Sequence, residues 1–363
     1  MFGAHLAAQT PCMADTMVGA VLHRARDLRV ERCVMPELKA GHVLVRVRRA
    51  GICGSDLHYF AQGRYAACVP SRPFILGHEL VGEVAAAANV KFPAVGARVV
   101  VNPARPCGQC PYCATGRANL CPQTIMLGSA STKPPTDGAF AHFVAVRADQ
   151  CYEIPAGFDD GRAAMIESLA VALHAVMRAG SVSGKSVLVI GAGPIGLLVA
   201  MTARVFDAVP VAVCDLVQTR RQTALKLGAD KVLAPDSPEL EKEVRELTGD
   251  GFEIVFEASG APAALRQAFG LVRAGATIVQ LGTLENSDLL LPAHQIMARE
   301  LQLVGSFRYG NAFGEAIHLA ASGKLQLQQL ISGVVPLSEI HQAMTRALTK
   351  NGFLKLQVDL SAA

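Results

Sequence analysis

From Met17 to about Arg147, short runs of alternating apolar and polar residues, such as His42-Val-Leu-Val-Arg-Val-Arg and Ala97-Arg-Val-Val-Val, are broken repeatedly by Gly and Pro. Period-two alternation bounded by turn formers predicts short strands, so this stretch reads as a compact, mostly β region. After Ala163 the rhythm changes. An apolar helix is predicted through Ala172 and Val176, then the strand Ser186-Val-Leu-Val-Ile190, a glycine turn, another helix, and the strand Val209-Pro-Val-Ala-Val-Cys214. Helix and strand in alternation make βαβ units and hence a parallel sheet. Further strands are predicted at Ile254-Val-Phe256, Ala276-Thr-Ile-Val-Gln-Leu281 and Leu301-Gln-Leu-Val304, and six would complete a doubly wound sheet. From Phe307 the chain offers amphipathic helices and a last alternating strand, Leu354-Lys-Leu-Gln-Val-Asp. This tail is too short to be a domain and is expected to return to the first one. The expected fold class is α/β, with a β domain followed by a doubly wound parallel-sheet domain.

The 363 residues suit two domains of the usual size. With 51% hydrophobic and 18% charged residues, the chain can bury a large interior, which excludes a disordered protein. Its net charge of +4 is spread out, and the densest basic cluster, Arg46-Val-Arg48-Arg49, alternates like a strand, so no nucleic-acid partner is expected. The most apolar stretch, Val187 to Met201, is interrupted by Gly191, Gly193, Pro194 and Gly196 and falls short of the ~18 unbroken apolar residues of a membrane span. No membrane association is expected. The N-terminus lacks a basic start followed by a long apolar run, so the expected location is the cytoplasm. Ten cysteines, four of them between Cys107 and Cys121, point to metal or reactive thiols rather than disulfides.

Gly191-Ala-Gly193-Pro194-Ile195-Gly196 follows an apolar strand and opens an apolar helix, as a dinucleotide site requires. The glycines permit a tight turn, close approach of a pyrophosphate and close helix packing, while the helix N-terminus carries partial positive charge. Asp215 stands nineteen residues past Gly196, at the end of the next strand, where a carboxylate can accept hydrogen bonds from ribose hydroxyls. It would repel a 2′-phosphate, so NAD is expected over NADP, although Arg220 and Arg221 lie close by. The competing reading is a Gly-rich turn in an unrelated α/β protein.

Cys107, Cys110, Cys113 and Cys121, at spacings of 3, 3 and 8, offer four thiolates that can surround a tetrahedral zinc without leaving room for water. This predicts a closed, structural site, with an iron–sulfur cluster as the physical competitor. A looser set comprises Cys53, His78, Glu79 and Glu167. Cysteine, histidine and one carboxylate make three ligands and leave a position open, the condition for a catalytic zinc.

Gly51-Ile-Cys-Gly-Ser-Asp56, Gly77-His-Glu-Leu-Val-Gly82, the Cys107 cluster and the Gly191 turn stand in the order and spacing of zinc-dependent medium-chain dehydrogenases/reductases. The chain resembles that superfamily from Met17 to Leu360. Within it, the chain resembles the polyol branch, that is sorbitol, xylitol and, above all, L-idonate 5-dehydrogenases. The residues that carry this are Cys53-Gly-Ser-Asp-Leu-His-Tyr59, Val101-Asn-Pro103, Gly128-Ser-Ala130, Asp137-Gly-Ala-Phe140, Glu167-Ser-Leu-Ala-Val-Ala-Leu-His-Ala175 and Gly305-Ser-Phe-Arg-Tyr309. The resemblance implies a GroES-like catalytic domain over 17–166 carrying both zincs, a Rossmann domain over 167–306, a segment 307–363 returning to the first domain, and a homotetramer. It implies that Cys53 and His78 hold the catalytic zinc, with Glu79 or Glu167 as the acid that completes the set. It assigns Tyr59, Arg308 and Tyr309 to substrate hydroxyls, Leu281, Gly282, Ser306 and Phe307 to the nicotinamide, and Arg220 to the adenosine ribose. Two departures stand out. Glu167-Ser168-Leu169 replaces the usual Glu-Pro-Leu, and Gly96-Ala-Arg-Val99 replaces Gly-Asp-Arg-Val.

The expected chemistry is oxidation of a secondary hydroxyl: zinc lowers the hydroxyl's pKa and NAD takes the hydride. Ser55 is placed to receive the proton, with His58 or a water-linked Glu167 passing it out. Arg308, a fixed guanidinium, suits several sugar hydroxyls or a carboxylate. L-Idonate is therefore the expected substrate, with sorbitol or xylitol as runner-up. Cys12, Cys33, Cys68, Cys151 and Cys214 read as core or incidental residues. A zinc ribbon for nucleic acid is disfavoured because only Arg105, Arg117 and Lys133 with Tyr112 surround the cysteine cluster. A zinc-free quinone reductase would lack Cys53 and that cluster.

Overall fold

The computed structural model describes residues 16–284, 288–349 and 353–361, so Cys12 lies outside the described residues. The first domain is organised on the strand His42–Gly51, whose Val43, Val45 and Val47 are fully buried while Arg46 turns outward. It pairs antiparallel with Glu79–Ala87, Phe143–Arg147 and Lys355–Asp359. At Gly82 a Cβ would stand 2.3 Å from the Arg46 carbonyl oxygen, so only glycine lets these strands approach as they do.

The second domain is a six-stranded parallel sheet in the order Lys231–Leu233, Val211–Cys214, Val187–Ile190, Phe252–Glu257, Val272–Gln280, Gln302–Gly305. Val187–Ile190 and Val211–Cys214 are buried throughout, because helices cover both faces of the sheet. The hydrophobic pattern located five of these strands. It missed Lys231–Leu233, which has three residues and buries only Leu233.

Helix Ile166–Arg178 packs against Pro194–Val205 and Phe313–Ala321, and one continuous core joins Val81 and Val100 of the β domain to Leu169 and Val189. The two domains are therefore held across a packed interior, with Glu167 on the helix between them. The tail returns to the first sheet, where Lys355–Asp359 pairs antiparallel with His42–Gly51 and parallel with Ile331–Pro336. Simple alternation would send Lys355 and Gln357 to solvent, yet they are 2% and 0% exposed. Among the described residues no helix is long and apolar enough to cross a membrane.

Asp160 ties this sheet to the entry of the interdomain helix. Its carboxylate accepts from Arg48 Nε at 2.8 Å and from Arg98 Nη2. Burial opposes its ionisation, but the hydrogen bonds and charges of the two arginines prevail and hold it below its ordinary 3.8. A depressed carboxyl stabilises the fold above the unfolded value, and this contribution is lost as pH falls through the lower folded one. Because both arginines are partly exposed, Asp160→Asn should cost about 1 kcal/mol at neutral pH. The difference between variant and parent should vanish in denaturant melts below about pH 3; a constant difference from pH 3 to 8 would refute the assignment.

Candidate active site

Cys53 follows the strand His42–Gly51 by two residues and stands at the N-cap of helix Gly54–Gln62, while His78 precedes and Glu79 opens the strand Glu79–Ala87. One buried side chain locks the two turns together. Asp56 accepts from the Cys53 amide at 2.9 Å and from the Gly77 amide at 3.1 Å. Gly77 has φ +95°, and a Cβ there would meet the Phe140 ring at 2.9 Å, so the turn presenting His78 requires glycine. As a result, one ligand atom each from Cys53, His78 and Glu79 lie within 4.8 Å of one another. A thiolate, an imidazole and a carboxylate at that separation are donors that suit zinc. Glu167, also buried, does not join this group among the described residues.

The electrostatics of the pocket are those of crowded buried acids. Burial pushes the Glu167 carboxyl up to about 7. Burial acts against the His78 imidazolium, but the nearby Cys53 and Asp56 raise it well above its ordinary value. Burial likewise acts against the Glu79 carboxylate, yet Lys355 keeps it below its ordinary value. Lys355 Nζ donates to Glu79 Oε1 at 2.7 Å and Oε2 at 2.8 Å, and Ser168 Oγ donates to Oε1 at 2.7 Å.

A cleft of about 360 Å³ joins this pocket to the nucleotide turn, lined among others by Cys53, His58, Glu79, Gly193, Pro194 and Arg220. Ile195 lines it too, and Ser55 sits half-buried on the same helix as His58. Gly191 has φ +104°, and a Cβ on Gly196 would lie 1.8 Å from the Gly191 carbonyl oxygen, so the turn closes only with glycine at both. Asp215 holds it, accepting from the Ala192 and Val217 amides at 2.7 Å each. The two neighbouring arginines differ: Arg221 is committed to the backbone oxygens of Asp215 and Leu216, whereas Arg220 Nε is buried without a partner. Ser306 Oγ is also buried without one. It follows the edge strand as Leu281 and Gly282 follow the strand beside it, at the carboxyl ends where parallel sheets bind ligands. Unpartnered polar atoms beside a glycine cradle fit a bound dinucleotide.

Arg308 adopts φ +55° and lies over the Phe307 ring, 4.8 Å from its centroid. Burial lowers its pKa, Glu167 is one of the charges it feels, and among the described residues it makes no ion pair. Its segment is held from the cysteine lobe, where Asn119 Nδ2 donates to the Phe307 carbonyl at 2.9 Å and Asn311 Nδ2 to the Gly116 carbonyl at 3.1 Å. The two tyrosines expected to bind substrate are otherwise engaged. Tyr309, 3% exposed, donates to Asn102 Oδ1 at 2.8 Å and accepts from the Ala104 amide at 3.0 Å. Tyr59, 1% exposed, accepts from the Ala130 amide at 2.9 Å. Both hydroxyls serve the loops around the cleft. Sequence reasoning passed over Tyr65, whose hydroxyl lies 2.9 Å from Thr283 Oγ1 and which forms a bridge with Cys68.

The four remaining candidate ligands do converge. Cys110 precedes the short helix Pro111–Ala114, Cys113 lies within it, and Cys121 follows the turn Ala118–Leu120. The thiols of Cys107, Cys110, Cys113 and Cys121 fall within 4.8 Å of one another. The Cys107 amide donates to Cys121 Sγ at 3.3 Å and pulls that thiol down to about 6. Four sulfurs with no further donor make a closed tetrahedral site.

Residues 39–156 match the alcohol dehydrogenase GroES-like domain family and residues 194–322 the zinc-binding dehydrogenase family. The chain is 36% identical over 352 residues to sorbitol dehydrogenase of Bacillus subtilis (strain 168), spanning 96% of this chain and 99% of that protein. The crystal structure of L-idonate 5-dehydrogenase from Escherichia coli superposes with a TM-score of 0.89 at 30% identity, over 95% of this chain and 98% of that one. A structure from Sinorhizobium meliloti 1021, described as a zinc-binding dehydrogenase and bound to NADP, superposes at 0.86 with 31% identity, over 95% and 100% of the two chains. With full-length similarity of this kind and a site of matching donors, the chain belongs to the zinc-dependent medium-chain dehydrogenase/reductase superfamily, on its polyol dehydrogenase branch.

Proposed function

We propose that the protein oxidises a secondary hydroxyl of a sugar acid to a ketone with NAD, converting L-idonate to 5-keto-D-gluconate. The observation that carries this is Arg308, a half-buried guanidinium close enough to feel the charge of Glu167 and with no carboxylate partner among the described residues. Such a group is suited to a substrate carboxylate by paired, charge-assisted hydrogen bonds. The likeness to sorbitol dehydrogenase supports a second reading, in which Arg308 meets the hydroxyls of sorbitol or xylitol.

Cys53, His78 and Glu79 would hold a zinc ion, which would supply Lewis acidity toward a substrate hydroxyl, and the Gly191 turn with Asp215 would hold a dinucleotide, which would supply the hydride acceptor. Around that chemistry the chain's own residues orient and move protons. Asp56 fixes the turns bearing Cys53 and His78. Ser55 takes the substrate's proton and His58, which lines the cleft, hands it to solvent. Glu167, its carboxyl raised to about 7 by burial, is a second carrier reached through water. Asp215 beside the glycine turn favours NAD over NADP, because its charge opposes a 2′-phosphate. Cys107, Cys110, Cys113 and Cys121 hold a second, structural zinc. The reading extends to a homotetramer acting in the cytoplasm.

NAD reduction by purified protein should be faster on L-idonate, in kcat/KM, than on sorbitol or xylitol. Losing a hydrogen bond to a charged group, Arg308→Ala should lower kcat/KM on L-idonate by roughly ten- to hundredfold and affect sorbitol less. Preference for sorbitol in the parent, with equal losses on both substrates in the variant, would select the polyol reading. Elemental analysis should find about two zinc ions per chain. Cys53→Ser should abolish turnover and one metal equivalent while leaving the other in place; unchanged activity would remove Cys53 from the ligand set.

A further inference from the structure

The carboxylate of Glu79 is almost fully engaged by protein groups, Lys355 and Ser168. Each carboxylate oxygen can accept about two hydrogen bonds or metal bonds. Oε1 receives Ser168 Oγ at 2.7 Å and Lys355 Nζ at 2.7 Å, which fills it, whereas Oε2 receives only Lys355 Nζ at 2.8 Å. The donors are themselves fixed. Lys355 Nζ also reaches the Ile52 carbonyl and Ser168 Oγ, each at 3.3 Å, and the three side chains are between 0% and 2% exposed. The third wall is backbone: a Cβ on Gly51 would stand 2.0 Å from Oε2, so the carboxylate rests against a position that only glycine leaves open.

We propose that Ser168 and Lys355 are positioning residues which restrict Glu79 to one metal bond, through Oε2, and so keep a coordination position free for the substrate oxygen. This rests on the reading of Cys53, His78 and Glu79 as a zinc site. Bonding through both oxygens would bring the site, with the thiolate and imidazole, to four protein bonds and close it. Zinc sites that turn over keep one position open, whereas structural ones are closed. Hydrogen-bond partners of ligating carboxylates tune metal sites in this way. Ser168 is the specific element here, because its hydroxyl occupies the second acceptor position of Oε1, which a residue without a hydroxyl would leave open.

The test uses the full-length protein loaded with cobalt(II) in place of zinc, with imidazole as a probe of the open position. In the parent, cobalt at the Cys53 site should give the intense visible band of a four-coordinate ion and take up imidazole. Ser168→Ala frees Oε1. Its band should weaken as the coordination number rises, and its imidazole Kd should increase roughly tenfold, the scale of such outer-partner effects. Ser168→Thr, which keeps the hydroxyl, should retain the parent's band and affinity. Cobalt bound by the four-cysteine lobe serves as the internal control for folding. An Ala variant with the parent's band and imidazole affinity, or one that loses cobalt from the Cys53 site alone, overturns the inference. If the parent itself binds metal only at the four cysteines, the zinc-site reading fails instead, a result distinguishable from failure of the positioning role.

Discussion

The ammonium of Lys355 meets the carboxylate of Glu79 inside the protein, and both side chains are shut off from water. Breaking a buried pair by removing one partner leaves an uncompensated charge and costs about 3–5 kcal/mol. The pair exists only because the C-terminal strand returns in one register, with Gln357 opposite Gly51. That register sets Lys355 beside the turn at Ile52 and Cys53, and the bare Cα of Gly51 gives the carboxylate its space. Strand pairing, a glycine, an ion pair and the proposed metal ligand are thus one constraint, and a slip of one residue would turn Lys355 to the other face of the sheet.

Around this pair the charges do not balance. Asp56, Glu79 and Glu167 are buried close enough to feel one another, against Lys355 and His78. The raised His78 answers the nearby Cys53 and Asp56, whereas burial, with Glu79 adding to it, lifts the Glu167 carboxyl to about 7. Buried charge without a partner is costly, and a divalent cation held by the proposed thiolate, imidazole and carboxylate would relieve it.

The cysteine lobe holds the segment that carries Arg308. Gly116 and Asn119 of that lobe are hydrogen-bonded to Asn311 and Phe307, on either side of Arg308, while Tyr309 is anchored by Asn102 and Ala104. Arg308 therefore sits in a left-handed backbone conformation maintained from three directions. A guanidinium held this way loses little freedom on meeting a ligand, which favours selective recognition over loose attraction.

The amino-acid order alone determined the features whose parts are neighbours in the chain. The CxxCxxC run, the glycine turn after an apolar strand, and the change from period-two strands to alternating helix and strand are local patterns, and the tertiary structure reproduces them. Lys231–Leu233 escaped because three residues with one buried side chain carry too little periodicity. What only the folded chain decided concerns groups distant in sequence. Lys355 reads as a solvent-facing residue of an alternating strand but is buried, because both faces of that strand are covered. Ser168 reads as a departure from a proline until it is seen donating to a carboxylate 89 positions away. Tyr59 and Tyr309 are matched to substrate contacts by resemblance, and only the folded chain shows that their hydroxyls also accept from loop backbone amides. Glu79 rather than Glu167 joins Cys53 and His78 for the same reason. Side-chain chemistry is written in the residue, but which partner satisfies it depends on burial and distance, and those are properties of the packed chain.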